Sequence, residues 1–331
     1  MRRTLRNVVA ALLTLTLLLA VAWGAAALWF DGPAARWMAG TLAGGWALAC
    51  LAVVLALRPY RRALGLVAFA CAMVVGWWLT LPASNGRDWQ PDVAHPATAD
   101  IQGSRLTVRN LRDFDYRSET DFNERWETRT YDLDQLVGVD LFLCFWGPTQ
   151  IAHTIASWEF ADGTHLAVSI ETRKERGESY SAVRGFFRQF EVYYVVADER
   201  DVVRLRTNYR GETVYLYRMQ ATPDAARAIL LDYAREINRL AEHPRWYNAL
   251  THNCTTAIRY HTRQVGMARP LDWRLFANGH LPELIYERGT IGTSLPLAEL
   301  VRRSDITEVA RSADQDPEFS QRIREGLPGS R

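Results

Sequence analysis

Residues 151–171 read IAHTIASWEFADGTHLAVSIE. Asp162-Gly163 stands at the centre, with β-branched, aromatic and apolar residues on both sides. A tight-turn dipeptide between two such arms predicts a β-hairpin over residues 151–160 and 165–171. Just upstream, residues 141–146 (LFLCFW) are an unbroken apolar run, the pattern of a strand covered on both faces. Downstream, residues 190–196 and 213–219 are aromatic and β-branched and predict two further strands. The period then changes. Thr222-Pro223-Asp224 is a helix start, a capping residue followed by proline. Ala226, Ile229, Leu230, Tyr233, Ile237 and Leu240 give that helix one apolar face. A second helix is predicted over residues 253–264, with Gly266 as its stop. Strands first and helices after make the class α+β, not doubly wound α/β.

The chain upstream is of another kind. Of 331 residues, 39 are basic and 37 acidic, a net charge of +2. Residues 1–86 carry seven arginines against Asp31 alone, whereas the remainder is net acidic. The near-balance overall gives no nucleic-acid-binding surface, and 48% apolar content excludes intrinsic disorder. Residues 7–30, 37–57 and 63–81 hold no charge. Each reaches the roughly 20 apolar residues that a membrane-crossing helix needs. Trp23, Trp29, Trp37, Tyr60, Trp77 and Trp78 fall near the ends, as interfacial aromatics do. Arg2, Arg3 and Arg6 precede the first span, and Arg58, Arg61 and Arg62 fill the second loop. Basic segments stay in the cytoplasm, so the N-terminus is inside and everything after about Pro82 is outside. A signal peptide cleaved near residues 25–27 is the alternative, and it leaves the large domain outside as well. No ionisable residue lies within the spans, which are read as an anchor.

The domains are therefore a three-helix membrane anchor (1–81), a linker rich in Pro, Ala and Asp (82–100), an extracytoplasmic domain (101–310) and a polar, frayed tail (311–331). The expected location is the bacterial inner membrane, multi-pass, with the C-terminal domain in the periplasm.

Chemistry concentrates on Cys254 and His153. Cys254 stands at the predicted start of a helix, where unpaired N–H groups and the helix dipole favour a thiolate and offer an oxyanion site. Asn253 and Thr255 flank it and shape that site. A cysteine nucleophile needs a base, usually a histidine distant in sequence. His95 and His280 lie in loops, His243 precedes a proline, and His252 lies before the helix start. His261 is two turns beyond Cys254. That leaves the hairpin pair, His153 and His165, and His153 is the stronger candidate. Across a tight turn at 162–163, residues 171–173 lie opposite His153. Glu171 is thus the candidate orienter of the imidazole, with Ser169 its diagonal neighbour. Glu171 paired with Arg173 on a solvated edge is the plainer reading. Cys144, inside the apolar run, reads as a core residue, and a Cys144–Cys254 disulfide is the structural alternative. No paired Cys or His stands at ligand spacing and there is no His-Glu-x-x-His, so neither metal nor cofactor is expected. The Arg/Glu-dense stretch 184–210 reads as a self-neutralising ion-pair network, with a lipid-headgroup surface as the other reading.

Several segments together carry a resemblance: FWGP (145–148), IAHT (151–154), SIETR (169–173), GE (177–178), YS (180–181), FRQFE (187–191), ERD (199–201) and NCTT (253–256). Over roughly residues 100–280 the chain resembles the Lnb N-terminal periplasmic domain family. Members with an assigned activity are lipoprotein N-acyltransferases that use a Cys and a His. The His-before-Cys order also resembles circularly permuted papain-like (NlpC/P60) domains, with the His on a strand and the Cys at a helix start. The resemblance implies Cys254 as nucleophile, His153 as base, a thioester intermediate, and an antiparallel sheet packed against helices. The three N-terminal spans depart from the assigned members.

The reading is a thiol-dependent acyltransferase or acyl hydrolase with the bilayer as partner and a phospholipid or lipoprotein as substrate. A cysteine peptidase or amidase acting on cell-envelope peptides would use the same dyad but need a polar open groove. A membrane-tethered envelope scaffold, with the cysteines bridged or idle, is the non-enzymatic alternative.

Overall fold

The computed structural model describes residues 2–329 except 252 and 268. They fall into two units, 2–83 with 180–190, and 84–179 with 191–329.

The first unit is built on three helices, α1 (Arg2–Asp31), α2 (Arg36–Ala56) and α3 (Tyr60–Thr80), each long and apolar enough to cross a membrane. They coincide with the three charge-free stretches. Segment 180–190 belongs to this unit, and Asp31 fastens it. The Asp31 carboxylate accepts from Trp78 Nε1 at 2.7 Å, from the Arg188 backbone N–H at 3.2 Å and from Gln189 Nε2 at 2.7 Å. Phe187 packs on Phe30 with ring centroids 4.8 Å apart. Helix α1 thus both spans and clamps. Asp31→Ala is expected to speed tryptic cleavage at Arg184 and Arg188 in the full-length protein about tenfold, since local opening sets such rates; unchanged cleavage would show the clamp to be idle.

The second unit holds the sheet. Its strands are β1 (Thr98–Gln102), β2 (Arg105–Arg112), the short hairpin β3 (Asp115–Tyr116) and β4 (Phe122–Asn123), β5 (Trp126–Asp132), β6 (Leu136–Phe145), β7 (His153–Phe160), β8 (His165–Arg173) and β9 (Glu191–Ala197). After α4 (Glu199–Arg204) comes β10 (Thr213–Arg218). The helices α5 (Pro223–Glu242), α6 (Cys254–Gln264), α7 (Leu281–Glu287), α8 (Leu297–Ser304), α9 (Thr307–Ser312) and α10 (Phe319–Arg322) follow. The main sheet runs β1-β2-β9-β8-β7-β6-β10, with β5 on β2, and is antiparallel except where β2 meets β9. The predicted hairpin is β7–β8, turned at Gly163 with φ +82°, a left-handed conformation that glycine adopts without strain.

Strand alternation divides the core. Ala156, Trp158, Val168 and Ile170 point to α5 and α6, packing with Ile229, Tyr233 and Cys254. Ile155, Ala167, Phe142 and Cys144 point the other way, onto Val202, Val203, Ala310 and Phe319.

Two boundaries differ from the sequence reading. The expected linker 82–100 is largely part of the domain. Trp89 and Val93 are buried, β1 begins at Thr98, and Arg173 lies 4.2 Å over the Trp89 ring while its Nε donates to Val93 O at 2.9 Å. The anchor is a residue far along the chain, so local composition hides it. The expected frayed tail is folded too. Phe319 and Ile323 are buried, and Arg324 joins the buried Asp140 at 2.9 Å and Glu199 at 2.7 Å. Two apolar residues four apart hold α10 to the sheet, although its surroundings are polar.

Candidate active site

Helix α6 begins at Cys254 itself. Asn253 caps it: its Oδ1 accepts from Thr256 N–H at 2.9 Å, and Thr256 Oγ1 accepts from Asn253 N–H at 3.0 Å. The Ala257 N–H goes to Asn253 O at 3.0 Å. The N–H groups of Cys254 and Thr255 are left without a partner among the described residues, as the first N–H groups of a helix are. They converge beside a buried thiol whose polar neighbour is Thr255 Oγ1 at 3.9 Å. Asn253 shapes this end but does not face an oxyanion, because its Nδ2 is committed to Ala249 O at 2.8 Å.

His153 opens β7. The pairing of Ile155 with Ser169, carried two residues on, brings Glu171 opposite His153, the register expected from the turn. The direct partner is nevertheless Ser169. His153 Nε2 lies 2.7 Å from Ser169 Oγ, which donates to Glu171 Oε1 at 2.7 Å, while Nε2 to Glu171 is 3.8 Å. A hydroxyl has one proton, and here the carboxylate receives it. Ser169 therefore accepts from Nε2–H, which leaves Nδ1 as the basic nitrogen. Nδ1 makes no hydrogen bond to the described residues. Glu171 acts on the imidazole through Ser169.

Arg206 holds this relay. It lies in the π-helical turn Leu205–Tyr209 and contacts Glu171 at 2.9 Å and Glu212 at 3.2 Å. Although burial opposes it, the Arg206 guanidinium keeps the Glu171 carboxyl well below the usual range. Burial, with Arg206 adding to it, lowers His153 from 6.5 to about 3. The imidazole is thus neutral at physiological pH and does not form half of a standing ion pair. Because the folded value lies below the unfolded one, the unfolded chain binds this proton first. Stability is complete above pH 6.5 and is lost as the pH falls toward 3. His153→Gln is expected to make the acid limb of a stability–pH curve shallower by about one proton; an unaltered slope would contradict the burial argument. The charges of the Arg/Glu stretch are paired with residues outside it and do not neutralise one another as read from sequence: Arg204 meets Asp115 and Arg210 meets Glu119, each at 2.8 Å, and Asp201 meets Arg112 and Glu199 meets Arg324, each at 2.7 Å.

No hydrogen bond joins the Cys254 thiol to His153. Alternation turns the His153 ring to the face of Ile155 and Ser169, whereas Cys254 packs with Ala156 and Ile170 on the other. What joins their neighbourhoods is Asn278. Its Nδ2 donates to Thr255 Oγ1 and to Ala152 O, both at 2.6 Å, and its Oδ1 accepts from Ala152 N–H at 2.8 Å. The residue after Cys254 and the residue before His153 are thus tied by one buried amide. Gly279 lets that segment close in, since a Cβ there would lie 1.9 Å from Thr149 O. Neither Asn278 nor Arg206 stands out in the sequence, as Thr255 and Ala152 lie more than 20 positions from Asn278, and Glu171 more than 20 from Arg206.

Three other histidines are engaged elsewhere. His261 is saturated, Nδ1 by Asp232 at 2.8 Å and Nε2 by Tyr194 Oη at 2.9 Å. His165 Nδ1 contacts Gly163 O at 3.0 Å, and His280 Nδ1 contacts Glu283 at 3.4 Å. His252 lies outside the described residues. Cys144 pairs with His153 across β6–β7 but is a core thiol, and burial pushes its pKa far up. Both Cys144 and Cys254 are free, so the disulfide alternative is not met.

Beside α6 lies a cavity of about 710 Å³, inside the range of small-molecule sites, roughly 300–1,000 Å³. Its wall is mainly apolar and includes Trp158, Ile229, Tyr233, Ile258 and Leu284, and Thr255 brings it to within one residue of Cys254.

Residues 122–279 match the model of the Lnb N-terminal periplasmic domain. No curated protein and no solved structure matches the chain.

Proposed function

We propose, from the match of residues 122–279 to the Lnb N-terminal periplasmic domain and from the three preceding helices able to cross a membrane, a thiol-dependent acyltransferase or acyl hydrolase anchored in the inner membrane. The observation that carries this reading is the apolar cavity beginning at the first turn of α6. An acyl chain fits such a wall. A peptide groove would need polar backbone partners along an open cleft.

In this mechanism the His153 ring, which sits at the first residue of β7 and faces away from Cys254 in the structure, turns toward the start of α6 and takes the proton from the Cys254 thiol as sulfur attacks an ester carbonyl. The N–H groups of Cys254 and Thr255 receive the oxyanion. Collapse breaks the C–O bond, and the leaving alkoxide takes the proton from His153. A thioester on Cys254 remains. An amine, such as a lipoprotein N-terminus, or water then attacks it, with His153 accepting the proton and returning it to the thiolate. Asn278 is the positioning residue that keeps the openings of α6 and β7 together. The permuted papain-like arrangement, with His on a strand and Cys at a helix start, belongs to this proposal.

Full-length protein in mixed micelles with acyl-labelled phospholipid is expected to release lyso-lipid, and to leave cell-wall peptides uncut. Cleaved peptide with no lyso-lipid would favour the peptidase reading instead. Inactivity on both, with both thiols alkylatable, would leave the scaffold.

A further inference from the structure

The same cavity carries charge at one end. Arg259, Arg269 and Arg288 all line it. Arg259 and Arg288 converge on one dipeptide, 269–270: Arg259 Nη2 donates to Arg269 O at 3.0 Å and Arg288 Nη2 to Pro270 O at 2.9 Å. None of the three is ion-paired among the described residues. The Arg259 Nε is buried without a partner. The nearby carboxylates are taken: Asp272 is gripped by Arg274, which also holds Glu287 at 2.7 Å, and Asp140 is held by Arg324. An apolar chamber with guanidinium groups at one end that form no ion pair among the described residues is complementary to an amphiphile whose head is an anion. Guanidinium groups match phosphate oxygens in bidentate geometry, and three around one mouth suit a delocalised anion better than a single carboxylate. Leu271 and Trp273, next along the chain, are 69% and 61% exposed and continue the apolar surface outward.

We propose that the cavity binds an acyl lipid bearing a phosphodiester head, the acyl chain lying along Trp158, Ile229 and Leu284 and the phosphate held by Arg259, Arg269 and Arg288. This rests on the acyl reading above and narrows its substrate to a glycerophospholipid.

The test uses full-length protein in neutral detergent and three non-hydrolysable sixteen-carbon probes, two hexadecyl ethers and a fatty acid. One carries phosphoglycerol, one is the neutral glyceryl ether, and the third is palmitate. The phosphoglycerol lipid is expected to bind about tenfold or more tighter than either other probe. Arg259→Gln and Arg288→Gln should each weaken it about tenfold without changing the neutral ether. Arg302→Gln, on α8, should change nothing, and melting temperatures of all variants serve as the folding control. Equal affinity for the phosphoglycerol and neutral lipids, insensitive to the arginines, would overturn the headgroup site and leave the acyl cavity standing. Palmitate binding as tightly as the phospholipid, with the same arginine dependence, would overturn the phosphodiester assignment. Binding of none of the three would overturn the acyl cavity itself.

Discussion

Cys254→Ser and His153→Ala are each expected to lower acyl turnover roughly a thousandfold or more while leaving the protein folded. A Ser hydroxyl is far less acidic than a thiol, and a neutral imidazole next to Arg206 is too weak a base to activate it. His261, His165 and His280 offer no substitute for the lost imidazole, because both nitrogens of His261 are already bonded and His165 and His280 contact Gly163 and Glu283. The double variant should be little worse than either single one, since partners in one step are not additive. Cys144→Ala and His165→Ala should keep most activity. Turnover together with thermal melting checks all five. A His153→Ala protein with normal turnover would place the base elsewhere.

The second large effect is on stability. Arg206→Met removes the one cation shared by Glu171 and Glu212, which are 17% and 5% exposed. Breaking a buried pair from one side costs about 3–5 kcal/mol, because the remaining charge is stranded. In the wild type the Glu171 value is held low, so its contribution is present at neutral pH and is lost on acidification. In the variant the sign reverses. The stranded Glu171 carboxyl titrates above its unfolded value, and the defect shrinks as the pH falls. Melting temperatures at pH 8 and pH 5 distinguish the two: a large drop at pH 8 and a smaller one at pH 5 are expected. Combining Arg206→Met with Glu171→Gln and Glu212→Gln should recover much of the loss. An equal drop at both pH values would mean that Arg206 acts by packing alone.

What the sequence made legible was local. Charge-free runs mark α1, α2 and α3 because a bilayer core excludes charge over a fixed length. Asp162-Gly163 sets the β7–β8 register, and that register puts Glu171 and Ser169 beside His153. Asn253 announces the start of α6 because a cap is a property of four consecutive residues. What stayed hidden was tertiary. Arg173 reaches back to residues 89–94, Arg324 to Asp140, and Asn278 to Ala152 and Thr255. A single polar residue whose partners are distant leaves no periodic trace. The short helices α9 and α10 have the same problem, since one turn holds too few residues for an apolar face to show. The facing of His153 depends on where β7 starts, and its first residue lies two positions beyond the apolar pattern's beginning.

The central claim is that Cys254 carries the acyl group. Full-length protein mixed with stable-isotope acyl-labelled phospholipid, quenched in acid and digested, gives peptides whose masses report where the label sits. The account predicts one acyl mass increment on the peptide containing Cys254, released by neutral hydroxylamine as a thioester is, and absent from Cys254→Ser. An acyl group on any other residue, or none on Cys254 while lyso-lipid still accumulates, would contradict it.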